Sequence, residues 1–172
     1  PIYLGEPWAV PLAEARLSTF LAADRNNATD DGPEAFLSGS IEDAQARYNL
    51  RNLIGEEGKL EPSQVRILQR LCATAGLAAD VAERIAGALS GAWAEVPVSE
   101  AVLAPGIVAE LSWIGLDKAA ITRLEPLVTL LPVPTSVNLN TAPREVLAAV
   151  IENLDLGGAE RLTQARLRQP FQ

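Results

Sequence analysis

The stretch VNLNTAPREVLAAVI, residues 137–151, decides how the chain is read. Its first half is polar and turn-forming, with Asn138, Asn140, Thr141 and Pro143 close together. Its second half places Val146, Leu147, Val150 and Ile151 at helical spacing. Asn and Thr side chains accept hydrogen bonds from the free N–H groups at helix starts. Asn138, Asn140 and Thr141 are therefore expected to be structural caps, Thr141 on the helix itself, in preference to ligand contacts.

The same helical grammar extends outward in both directions. Asp117 can cap a helix running through Ile121 and Leu124, with Pro126 near its end. Asp80 followed by Glu83 has the form of a capping box ahead of Val81, Ile85, Ala88 and Leu89. Pro62 suits a first helical turn, and Val65, Leu68, Leu71 and Cys72 line one face until Gly76 stops that helix. Toward the C-terminus a last helical segment is expected after Gly157-Gly158, with Ala159, Leu162 and Ala165 on one side. Two stretches, WIGLDKAAITRL (113–124) and NLDLGGAERLTQARL (153–167), each set a Gly-containing turn before an Ala-rich helix, the shape of a helix-hairpin-helix unit.

Upstream of residue 54 the pattern changes. Ala44, Ala46, Tyr48 and Leu50 alternate with Gln45, Arg47 and Asn49, which predicts a half-buried strand, and Ser38-Gly39-Ser40 predicts a turn before it. Asn49 and Asn52 are expected to shape the turn out of that strand. Residues 15–22 fit either a strand or a short helix, and strand is the reading taken. Pro7 and Pro11 exclude a helix interior around Trp8, and NNATDDGP (26–33) is a loop by composition. The fold class expected is α+β, predominantly α, with a strand-bearing segment at 1–53 and a helical domain at 54–172.

Composition narrows the function. There is no His, which removes the usual general base, the commonest zinc ligand and every Ser-His or Cys-His nucleophile pair, so an enzyme is not expected. Cys72 stands alone among apolar neighbours and can form neither an internal disulfide nor a CxxC site; it is expected to be buried and inert. The net charge of −8 repels polyanions. No cofactor is expected. Calcium is the one ion the acids leave open, through Asp30-Asp31-Glu34, Glu42-Asp43 or Glu56-Glu57, yet none has calcium-loop spacing and no ligand set is defined. No apolar run is long enough to span a bilayer, so any anchor or export signal is expected outside this stretch.

Residues 137–151 resemble the (I/V)NxNTAPxEVL signature of the general secretion pathway K family, the minor pseudopilins of type II secretion. A second block, SGSIEDAQARYNLRNL (38–53), resembles an earlier block of that family, an Asp and a strand ending in Asn-Leu-x-Asn-Leu at 49–53. LEPLVTLLP (124–132) lies just ahead of the first block. One departure stands out: many relatives carry D-W-x-D after the second helix, where this chain has Gly91-Ala92-Trp93-Ala94-Glu95, which puts carried-over metal binding there in doubt. The resemblance implies a partial pseudopilin α/β core, its C-terminal strands missing here, into which the helical domain is inserted. It implies a non-enzymatic subunit at the tip of a periplasmic pseudopilus, assembling with the I and J minor pseudopilins, and leaves direct contact with secreted cargo open. A missing N-terminal helix would anchor it in the inner membrane. The expected interface is apolar and drawn from Trp8, Leu17, Phe20 and Tyr48.

The alternative is a DNA-binding helix-hairpin-helix module, since residues 137–162 also resemble the NxNTAxxxxL opening of such domains in DNA-uptake proteins. Charge disfavours it. Across 137–168, Glu145, Glu152, Asp155 and Glu160 balance Arg144, Arg161, Arg166 and Arg168, where a phosphate clamp would be basic.

Overall fold

The helix expected after Pro62 runs Pro62–Thr74 (α1), with Glu61 extended at its N-cap and Pro62 in the first turn, where the missing N–H costs nothing. It ends in a Schellman turn. Gly76 takes φ +65, its N–H donates to the Ala73 carbonyl and the Leu77 N–H donates to the Cys72 carbonyl. The next helix is Val81–Ala92 (α2), followed by a 3-10 helix, Val108–Ile114, and the helix Lys118–Leu124 (α3). The turn at Gly115 repeats the first: φ is +82, Gly115 N–H donates to Ser112 and Leu116 N–H to Leu111. Arg144–Val150 (α4) and Leu156–Arg168 (α5) complete the helices, and their turn puts Asn153 at φ 60.

The computed structural model describes residues 2–16, 36–55, 58–93 and 104–172. Chain contacts divide it into two compact units, one made of Tyr3–Asp43 and the other of Pro1–Ile2 with Ala44–Gln172. Helices outweigh strands, so the class is α+β and predominantly α.

In the larger unit one apolar core joins the inward faces of the helices: Leu68, Leu71 and Cys72 from α1, Ile85 and Leu89 from α2, Leu124 from α3, Val146 and Leu147 from α4. Leu50, Leu53 and Tyr48 enter the same core, so residues 44–53 pack with the helices and the unit boundary falls at Asp43/Ala44, earlier than the expected 53. The alternating strand expected at 44–50 is also much shorter. A 3-10 turn, Ala44–Ala46, leads into a two-residue strand, Tyr48–Asn49 (β3 in chain order), and then a second 3-10 turn, Leu50–Leu53. The strand stops because the Asn49 side chain accepts the Arg51 N–H at 3.0 Å and bends the chain into that turn. Tyr48 and Asn49 pair in parallel with Val128–Thr129 (β4).

In the smaller unit Leu12–Arg16 (β1) and Phe36–Gly39 (β2) form an antiparallel ribbon, with an irregular register between Leu12 and Ala15. Ser38 and Gly39 thus belong to a strand and not to the turn expected there. The strand expected over 15–22 begins earlier, at Leu12, and residues 17–35 lie outside the described residues. A 3-10 turn, Pro7–Ala9, presents Trp8, whose indole Nε1 donates to Glu6 Oε2 at 2.7 Å.

Two expected caps did not form as read. Asp80 has helical backbone and makes no capping bond; its carboxylate lies 3.6 Å from Arg84, while Glu83 accepts from Gln69 Nε2 at 2.6 Å. The last helix begins at Leu156, before the Gly157-Gly158 pair, because Asp155 accepts the Gly158 N–H at 2.6 Å and starts the turn there.

Candidate functional site

The asparagines of both signature blocks are used as clasps. Asn49, 1% exposed, accepts from Arg51 N–H and Leu131 N–H and donates to the Val133 carbonyl at 2.8 Å. Asn52 exchanges a bond in each direction with the Thr135 backbone, at 2.9 and 2.8 Å. Together they hold residues 131–135, where Pro132 and Pro134 bring no N–H of their own, against the 49–53 turn.

The second block works alike. Asn138 accepts from Asn140 N–H at 3.0 Å and donates to the Ile2 carbonyl. Asn140 exchanges bonds with the Phe171 backbone, and Thr141 Oγ1 lies 3.4 Å from the Asn138 carbonyl. These bonds place Asn138, Asn140 and Thr141 in the turn ahead of α4, which starts at Arg144 with Pro143 at its N-cap. Arg166, 9% exposed, reaches the same turn and donates to the Leu139 and Ala142 carbonyls at 2.7 and 2.6 Å. Burial without a carboxylate holds its pKa below the ordinary arginine value.

At two helix starts an aspartate already occupies the position a phosphate would take. At α3 the Asp117 carboxylate accepts Ala120 N–H at 2.7 Å, and at α5 Asp155 takes Gly158 N–H. Each thus sets an anion where a DNA backbone would have to come. The first two turns are latched to each other. Arg123 Nη1 donates to the Gly76 carbonyl and Arg84 Nη2 to the Gly115 carbonyl, both at 3.0 Å. Arg144 bridges Glu145 at 2.9 Å and Glu160 at 3.3 Å, which raises its pKa and holds that of Glu145 low.

Of the four expected interface residues, Tyr48 is corrected: it is 1% exposed, deep in the helical core, with its hydroxyl on Gln64 Oε1 at 3.0 Å, so it cannot meet a partner. Trp8 is half-buried in the smaller unit with its polar edge already satisfied by Glu6, and Leu17 and Phe20 lie outside the described residues. Cys72 is 2% exposed, and burial, with Glu83 second, pushes its thiol up to about 11. Of the acidic clusters only Glu42-Asp43 falls among the described residues, and those hold no group of three or more metal-binding side chains.

A feature the sequence did not signal is an open groove of about 810 Å³ beside the first clasp, lined among others by Arg51, Asn52, Glu61, Trp93 and Thr135. The Arg51 guanidinium lies over the Trp93 ring, 4.6 Å from its centroid. An Arg at i and a Trp more than forty residues later carry no periodic signal, so only the fold could bring them together.

Sequence models of the family described as type II secretion system (T2SS), protein K, match residues 46–133 and 137–172. A curated relative, the type II secretion system protein K of Pseudomonas aeruginosa, is 33% identical over 190 aligned positions, which take in 99% of this chain and 52% of the relative. The chain thus spans about half the length of that relative. Among solved structures, the crystal structure of the GspK-GspI-GspJ complex from the enterotoxigenic Escherichia coli type 2 secretion system matches with a TM-score of 0.59 at 19% identity. That match covers 94% of this chain and 70% of the other. At that identity the likeness is one of fold.

Proposed function

The chain belongs to the type II secretion system protein K family, and from that membership we propose that it is part of a non-catalytic minor pseudopilin that assembles with the I and J minor pseudopilins. The observation that carries this is the family match over 46–133 and 137–172. It is supported by the likeness in fold to a structure whose K protein was solved with its I and J partners. The ribbon of β1 and β2 serves, in this reading, as part of a pilin-like core into which the helical domain is inserted. The site of action is the periplasm, with anchoring in the inner membrane through an N-terminal helix outside this stretch. No resident cofactor is proposed.

The helices do not read as a DNA module, because Asp117 and Asp155 set a carboxylate at the starts of α3 and α5, and Arg84 and Arg123 are engaged on the Gly115 and Gly76 carbonyls. The reading is tested by co-expressing the chain with tagged I and J pseudopilins of the same organism. Recovery of all three together supports it, and recovery of an I–J pair without this chain contradicts it.

A further inference from the structure

We propose that the groove beside Arg51 and Trp93 is a receptor site for a polypeptide segment bearing a single carboxylate, which the Arg51 guanidinium holds. Arg51 is fixed at its base: its backbone N–H is bound by Asn49 Oδ1, and its neighbours Leu50 and Leu53 are fully buried. It is fixed at its head by the Trp93 ring. A guanidinium is a planar N–H fork that receives a carboxylate bidentately.

Among the described residues no carboxylate pairs with Arg51, and its Nη1 is covered and has no hydrogen-bond partner. An orphaned, water-shielded donor is costly, and a carboxylate that reaches it offsets that cost.

The rest of the groove defines the ligand. Its volume of about 810 Å³ is in the range that encloses a small ligand or a few residues of chain. One wall is residues 134–136, kept rigid by the two Asn52–Thr135 bonds, so little ordering is left to the moment of binding. Glu61 stands on the same lining with its side chain against Gly55 and in no ion pair among the described residues. It repels a second negative charge, which favours one acidic residue with neutral neighbours over a polyacidic stretch or a phosphate. The net charge of −8 acts the same way on free anions. This inference does not rest on the assembly with I and J pseudopilins proposed above and is tested separately from it.

The test uses the whole chain carrying Trp8→Phe and Trp113→Phe, so that Trp93 is the only indole. Its fluorescence and indole N–H resonance are followed while acetyl-Ala-Glu-Ala-Ala-amide, the same peptide with Gln for Glu, or sodium acetate is added. The expected result is a saturable change with the Glu peptide, weakened about tenfold or more with the Gln peptide and with acetate. Arg51→Gln should abolish the change and Arg51→Lys should weaken it, with thermal melts showing both variants folded. Equal responses to acetate and the Glu peptide would leave simple anion binding only and overturn the polypeptide assignment. No response, or an undiminished one in folded Arg51→Gln, would overturn the site.

Discussion

Replacing Asn49, itself buried, with Ala leaves the part-buried N–H groups of Arg51 and Leu131 and the carbonyl of Val133 without their partner. With net worth of about 1 kcal/mol for each bond, Asn49→Ala should cost about 3 kcal/mol, read as a fall in the urea midpoint at unchanged slope. A loss under 1 kcal/mol would mean that water replaces the clasp. Cys72 makes a second prediction with a definite sign. Its thiol is raised to about 11 in the fold, so between the ordinary thiol value and 11 the unfolded chain has lost a proton that the native chain retains. Stability should therefore be intact at neutral pH and fall as pH rises from about 9 to about 11, by at most about 1.4 kcal/mol per unit from this group. Burial raises the Tyr48 hydroxyl too, and acts in the same direction at higher pH. Urea melts across that range check the slope, and Cys72→Ala should flatten it.

At the scale of elements, the start of α5 separates two adjacent glycines. A Cβ on Gly158 would lie 2.7 Å from Leu154 Cδ1 and 3.1 Å from Asp155 Oδ1, so Gly158→Ala must move the Leu154 side chain and crowds the capping carboxylate. On Gly157 the nearest atoms are at 3.6 and 3.7 Å, ordinary contact. Gly157→Ala should raise stability by up to about 1 kcal/mol through helix propensity and reduced chain entropy. Gly158→Ala should lower stability, and equal effects in thermal melts would contradict the close approach. The helices themselves were legible in the sequence because Leu68, Leu71, Ile85, Leu89, Val146 and Leu147 repeat at helical spacing and all are buried. The clasps were not, since Asn49 and Asn52 bind backbone atoms 82 to 84 residues away, and backbone atoms are the same at every position. The Asp80–Glu83 box misled because spacing cannot show that Asp80 keeps helical backbone, which turns its carboxylate toward Arg84. The short strand at Tyr48 misled because alternation does not reveal a side chain that ends pairing after two residues.

For the whole molecule, the proposal is that partners meet the strand-bearing unit. The exposed Leu12, Phe36 and Leu37 lie on its ribbon, and a two-stranded ribbon is marginal alone. Trp8 is the anchor we select there. Its Nε1 is held by Glu6, so contact with a partner would cost the indole no further desolvation of that group. If it is a hot spot in an interface of about 1,200–2,000 Å², Trp8→Ala should weaken binding to an I–J pseudopilin pair by about 2 kcal/mol or more, roughly thirtyfold in Kd. Normal melting of the variant with unchanged affinity would remove Trp8 from the interface. The most direct measurement is isothermal calorimetry of the unmutated chain into the purified I–J pair, at low and high salt, alongside anisotropy with duplex DNA. The account predicts a saturable three-component complex whose affinity barely changes with salt, and no DNA binding. Absence of heat and of any complex with the pair, or submicromolar DNA affinity at low salt, would contradict it.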